Sequence, residues 1–91
     1  MKVRIPATLS QDGRPGLIDV QVPAAGTVGA VLAGLETVVP GATRKIVDEG
    51  GRPFRYVNLY VNGDDVRERS GLDTPVREGD ELLILPAISG G

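Results

Sequence analysis

Apolar and polar residues alternate in several short stretches of the chain and repeat at helical spacing in one. Between Lys2 and Thr8, Val3 and Ile5 share one side, the period of a strand. Pro6 has no amide to donate, so the stretch reads as an edge strand or a strand end. Residues 10–16, SQDGRPG, form a turn by composition. From Leu17 to Val22, Ile18, Val20 and Val22 alternate with Asp19 and Gln21, which completes a hairpin. Thr27 is placed to cap a helix, because its hydroxyl can accept from the free amides of the first turn. Val28, Val31, Leu32, Leu35 and Val39 then form one apolar stripe, and Pro40-Gly41 ends it. Gly29 and Gly34 each weaken that helix by up to about 1 kcal/mol relative to alanine. Packing on a sheet must therefore hold it, and the small residues allow a close approach to that sheet.

Residues 42–47 suggest a further helical turn, and 48–53, DEGGRP, a loop. Phe54 to Val61 is the strongest predicted strand, with Val57, Leu59 and Val61 on one side and Tyr56, Asn58 and Tyr60 on the other. Asn62-Gly63 is a hairpin-turn signal. An irregular stretch runs to Pro75, and Glu78-Gly79-Asp80 is a turn. Leu82 to Leu85 is apolar at every position, so either both faces are covered or one face is sticky; a central strand fits best, closed by Pro86. The pattern predicts an α+β domain, a mixed sheet with one main helix across one face. The domain spans residues 1–85 and the tail residues 86–91.

Composition narrows the function. Ninety-one residues make one small domain that buries about 65 % of its unfolded surface, which leaves little room for a deep pocket. The net charge is −2 and the basic residues are scattered, so nucleic-acid binding has little support. No apolar run approaches the roughly 20 residues of a membrane span, and the first residues lack a signal peptide's apolar stretch. The expectation is a cytoplasmic protein with no membrane partner. The chain has neither cysteine nor histidine. That removes the Cys and His nucleophile–base pairs and the usual zinc ligands. Asp64-Asp65 and Asp80-Glu81 lack calcium-site spacing and read as solvated turns, so no metal is expected. Residues 26–34 lack the spacing and lysine of a phosphate loop. Phe54, Tyr56 and Tyr60 read as a partly covered sheet surface or partner site.

The end of the chain is unusual. Residues 82–91, LLILPAISGG, pass from a core strand to two glycines and a carboxylate. A frayed end is the ordinary reading of such a terminus. Here, however, the fold fixes where the tail begins, Ile88 can anchor on a partner, and the side chains shrink steadily toward Gly91. A terminal carboxylate becomes reactive when adenylated by ATP, in a closed site that excludes water. Residues 86–91 span roughly 20 Å when extended, and glycine keeps such a threading channel narrow and any φ accessible.

These segments resemble a known family, the ubiquitin-like sulfur carriers of the MoaD, ThiS and CysO type. The matching stretches are YVNLYVNGDDVR (56–67), SGLDTPVREGDELLILPAISGG (70–91) and TVGAVLAGLE (27–36). Within the family the chain is most similar to the actinobacterial carrier of cysteine synthesis. The resemblance implies a β-grasp fold. It further implies that an E1-like activating enzyme adenylates Gly91 with ATP and that a sulfur source converts it to a thiocarboxylate. A partner synthase, cysteine synthase-like or other, then receives the sulfur. The chain would be a protein co-substrate, not an enzyme, and would bind no cofactor itself, since ATP is used by the partner. Family acceptors include molybdopterin, the thiamine thiazole, cysteine and thiolated secondary metabolites such as thiosugars. By position, Gly91 carries the sulfur, Gly90 is the hinge, and Pro86, Ala87, Ile88 and Ser89 lie in the partner channel. Leu83 and Leu85, with Tyr60 or Leu59, form the partner-facing patch. Two other readings are a protein modifier, which forms isopeptides through Gly91, and a plain β-grasp binding module.

Overall fold

The computed structural model describes residues 1–9, 16–23 and 26–86. Five strands form one sheet: β1 (Lys2–Pro6), β2 (Leu17–Gln21), β3 (Val57–Val61), β4 (Asp64–Asp65) and β5 (Glu81–Pro86). One α-helix, α1 (Val28–Val38), and four 3-10 turns complete the described chain. The strand order is β2-β1-β5-β3-β4. β5 runs parallel to β1 and antiparallel to β3, so the all-apolar strand is central, as its pattern predicts. Pro6 is a strand end rather than an edge: β1 is interior, and the chain turns into a 3-10 helix at Ala7–Leu9. The predicted turn at 10–15 lies outside the described residues.

α1 begins where the capping signal stands. Thr27 is extended, and its hydroxyl accepts from the Ala30 amide at 3.2 Å. Val28, Val31, Leu32, Leu35 and Val39 are all buried, and they meet Val3, Ile5, Val57, Leu59, Val61, Leu82 and Ile84 in one core. The start of α1 is also clipped to the chain before β5: the Val28 amide donates to the Thr74 carbonyl and the Val76 amide to the Gly26 carbonyl, both at 3.0 Å. Thr74 is fully buried, and its hydroxyl donates to the Gly71 carbonyl at 2.7 Å. The helix glycines do allow close approach, though not to the sheet strands themselves. A Cβ on Gly29 would lie 3.3 Å from the Leu72 carbonyl, and one on Gly34 would lie 3.1 Å from a Val22 methyl.

Two regions differ from the sequence pattern. β3 starts at Val57 rather than Phe54, because residues 54–57 close a turn in which the Val57 amide donates to the Phe54 carbonyl at 3.0 Å. The stretch after Asn62-Gly63 is not wholly irregular. Asn62 and Gly63 both take positive φ, 51° and 90°, a hairpin turn, and β4 returns along β3 with Val61 opposite Asp64.

Four carboxylates hold turns and a strand pair together. The Gly41 amide at 2.7 Å and the Thr43 amide at 3.1 Å donate to Glu36 beyond the end of α1. Asn62 donates to Asp80 at 3.0 Å, as does the Arg77 amide at 2.8 Å. The Arg67 amide donates to Asp65 at 2.9 Å, and Arg4 donates to Asp19 at 2.7 Å. These donors hold all four carboxyls below their ordinary range: chiefly the Gly41 amide for Glu36, Asn62 for Asp80, the Arg67 amide for Asp65 and the Arg4 guanidinium for Asp19. As pH falls, the unfolded chain takes up these protons first, so their contribution to stability is present above the ordinary carboxylate range and is lost as pH falls through the lowered folded values. Melting followed by circular dichroism is expected to be steady from neutral pH down to that range and to drop below it, less steeply in Glu36→Gln. A midpoint unchanged through the acid range would contradict this.

Candidate functional site

β5 has two different faces. Leu82 and Ile84 are 0 % and 1 % exposed and point into the core, while Leu83 and Leu85 are half-buried on the opposite, outer face. Cross-strand register defines their neighbours: Leu83 sits opposite Arg4 of β1 and Tyr60 of β3, and Leu85 opposite Asn58. Leu83, Leu85 and Tyr60 therefore share a face, as expected. Leu59 does not: it pairs with Ile84, is 1 % exposed and belongs to the core. The outer patch is formed with Tyr60, and Leu59 takes no part in it.

Ion pairs frame this patch. Arg4 reaches Asp19 through Nε at 2.7 Å and a second nitrogen at 3.3 Å, a two-pronged contact. Lys2 reaches Glu81 at 3.0 Å. On the far side, Arg67 contacts Asp65 at 3.2 Å and also donates to Asn58. Each cation next to the leucines thus has its own carboxylate on the same sheet. The apolar centre with a polar surround is the layout of a protein interface. Between Arg4, Tyr60, Glu81 and Leu83 lies a shallow depression of about 360 Å³. Among the described residues, no group of His, Cys, Asp and Glu is arranged to hold a metal ion, and no helix is long and apolar enough to cross a membrane.

The strand also fixes where the tail starts. Pro86, expected in the tail, is paired with Val57 as the last residue of β5. Ala87, Ile88, Ser89, Gly90 and Gly91 lie outside the described residues. Extended, residues 87–91 would reach about 17 Å. Sequence reading missed β4 and the ion-paired frame. A hairpin turn at Asn62-Gly63 requires a returning strand, and that was the available signal for β4.

Residues 13–91 match the profile of the ThiS family. The chain belongs to the ThiS family. Its fold is the ubiquitin-like β-grasp. It aligns with a chain of the crystal structure of the Amycolatopsis orientalis BexX/CysO complex at a TM-score of 0.79 and 31 % identity, covering 98 % of this chain and 99 % of that one. The sulfur carrier protein CysO of Mycobacterium tuberculosis is 44 % identical over 67 residues, 71 % of this chain and 72 % of that protein. Small archaeal modifier protein 3 of Haloferax volcanii is 33 % identical over 66 residues, 71 % of this chain and 70 % of that protein. The chain is thus a member of the ubiquitin-like sulfur carrier and modifier family that includes CysO, a family of small carrier proteins.

Proposed function

We propose that this ThiS-family chain carries sulfur as a thiocarboxylate on Gly91. A partner activating enzyme directs the Gly91 carboxylate oxygen onto the α-phosphorus of ATP, with pyrophosphate leaving. A sulfide-level donor then attacks the acyl adenylate and displaces AMP, which leaves a C-terminal thiocarboxylate. Its sulfur attacks an electrophilic carbon of an acceptor held by a partner synthase and displaces that carbon's leaving group, and hydrolysis of the acyl–sulfur bond leaves the sulfur on the acceptor and returns the carboxylate. Cysteine synthesis is the acceptor reading favoured by the similarity to CysO. The chain binds no cofactor in this scheme; the nucleotide belongs to the activating enzyme.

The observation that carries the proposal is β5 itself. A central strand, paired with β1 through Leu83 and with β3 as far as Pro86–Val57, ends directly before the tail that closes in Gly-Gly and shows two leucines on its free face. Such a strand holds the root of the tail still relative to the patch, so a partner that seats the patch also aims the tail. Pre-positioning of this sort lowers the entropy cost of threading.

The test is intact mass. The 91-residue chain is incubated with the activating enzyme from the same organism, ATP and a sulfide source. Exchange of one oxygen for sulfur, mapped to Gly91, is the expected result. The similarity to an archaeal modifier protein favours a second reading, in which lysine amines capture the same adenylate, and lysine-linked adducts in place of sulfur would establish it. No covalent change at all, with partner binding indifferent to removal of Gly91, would leave only a binding module.

A further inference from the structure

The loop between α1 and β3 has a charge character unlike the rest of the chain. Residues 43–56 carry Arg44, Lys45, Arg52 and Arg55 against Asp48 and Glu49, a net +2 on a chain of net −2. All four cations are exposed. Lys2, Arg4, Arg67 and Arg69 each form an ion pair, whereas these four form none among the described residues. Asp48 is turned back on its own loop, where its Oδ1 accepts from the Gly50 amide at 2.8 Å and the Arg52 amide at 3.0 Å.

The loop is nevertheless built. Val47 bridges Pro53, the Asp48 amide donates to the Arg52 carbonyl at 2.8 Å, and the Phe54 amide donates to the Ile46 carbonyl at 3.0 Å. Phe54 packs against the core and stacks on Tyr56 with ring centroids 5.2 Å apart and planes 9° apart. Tyr56 is thereby fixed in place while remaining 53 % exposed. The loop thus presents exposed cations without ion pairs among the described residues and a large, half-exposed aromatic held in one place.

Position gives these features a use. Val57, the residue after Tyr56, is the partner of Pro86. The loop therefore ends at the place where the chain leaves the sheet toward Gly91. We infer that Arg52, Arg55 and Tyr56 form a docking collar beside the root of the tail, matched to an acidic rim around the tail-accepting mouth of the activating enzyme. The inference rests on the tail reading proposed above. It is separate from the outer patch: the collar steers the approach, and the apolar face holds the complex. Arg52 and Arg55 supply long-range attraction that raises the encounter rate. Tyr56 supplies a rigid amphipathic contact at small entropy cost, which slows dissociation.

Association of the full chain with the activating enzyme, without ATP, tests this by stopped-flow or surface binding at low and high salt. Arg52→Glu/Arg55→Glu is expected to slow association about tenfold at low ionic strength, with the difference vanishing at high salt. Tyr56→Ala is expected to speed dissociation with little effect on association. Both variants should melt as the wild type does, since these side chains lie outside the core. Association rates equal to wild type in the charge-reversed chain, or a wild-type chain that does not bind the activating enzyme, would overturn the collar. The tail reading stands or falls separately on the mass of Gly91. A wild type that gains sulfur while the charge-reversed chain associates normally sinks the collar alone.

Discussion

Leu83→Asp is expected to remove activation of the chain while leaving its fold in place. Leu83 lies on the outer face between Arg4 and Tyr60, so the new carboxylate faces solvent with a guanidinium opposite. The cost to the sheet is the lower strand propensity of aspartate, within about 1 kcal/mol. The cost to an interface is larger. A charge at the apolar centre of a contact has lost its water and found no partner, and residues there carry roughly 2 kcal/mol or more each. That is at least about thirtyfold in affinity. Pyrophosphate release by the activating enzyme, measured against carrier concentration, should show the loss, with a melting curve near wild type as the control. Unchanged activation kinetics would rule out this face as the docking surface.

Leu82→Ala, one residue earlier, is expected to do the reverse. Leu82 is 0 % exposed and pairs across the sheet with Val3 and Val61. Truncating it removes buried methyl groups and opens a cavity in the centre of the core, at a cost of about 2–5 kcal/mol. A small domain has about 5–15 kcal/mol in total, and each kcal/mol lowers its melting midpoint by about 4–8 °C. The surviving folded fraction keeps Leu83, Leu85 and Tyr60 in place, so its apparent affinity for the activating enzyme should match wild type. A melting midpoint close to wild type would mean that β5 is not the keystone of the sheet. The two variants together separate what each face of one strand does.

Much of this arrangement was legible in the sequence because it rests on strong local rules. The helix was marked by Thr27 and by five apolar residues at helical spacing, and all five are buried. The central strand was marked by four consecutive large apolar residues, a run that fits an interior strand whose second face is apolar as well. The misreadings have a common physical origin. Phe54 and Tyr56 have the alternation of strand residues, yet tertiary contacts in the 43–56 loop claim them for a turn. Leu59 and Tyr60 are neighbours of similar bulk, and only the pairing of β3 with β5 decides which of them faces the core. The ion-paired frame depends on pairing between strands distant in sequence, such as Arg4 with Asp19 and Lys2 with Glu81. No local pattern reports such contacts.

The place of β5 in the sheet also bears on how the protein comes into being. The strand that joins β1 to β3 is the last of the described elements to leave the ribosome. Until then the N-terminal hairpin and β3 have no shared ladder, because residues 2–4 pair with residues 81–83. Such distant pairing is slow to form, since the closure entropy of the intervening chain is spent before the contacts reward it. Folding is thus withheld until synthesis reaches the base of the tail. A chain interrupted before that strand cannot close its sheet, and it meets the cell's proteases with its apolar faces open. Every molecule that survives as a folded domain therefore already carries the strand from which its C-terminal tail continues.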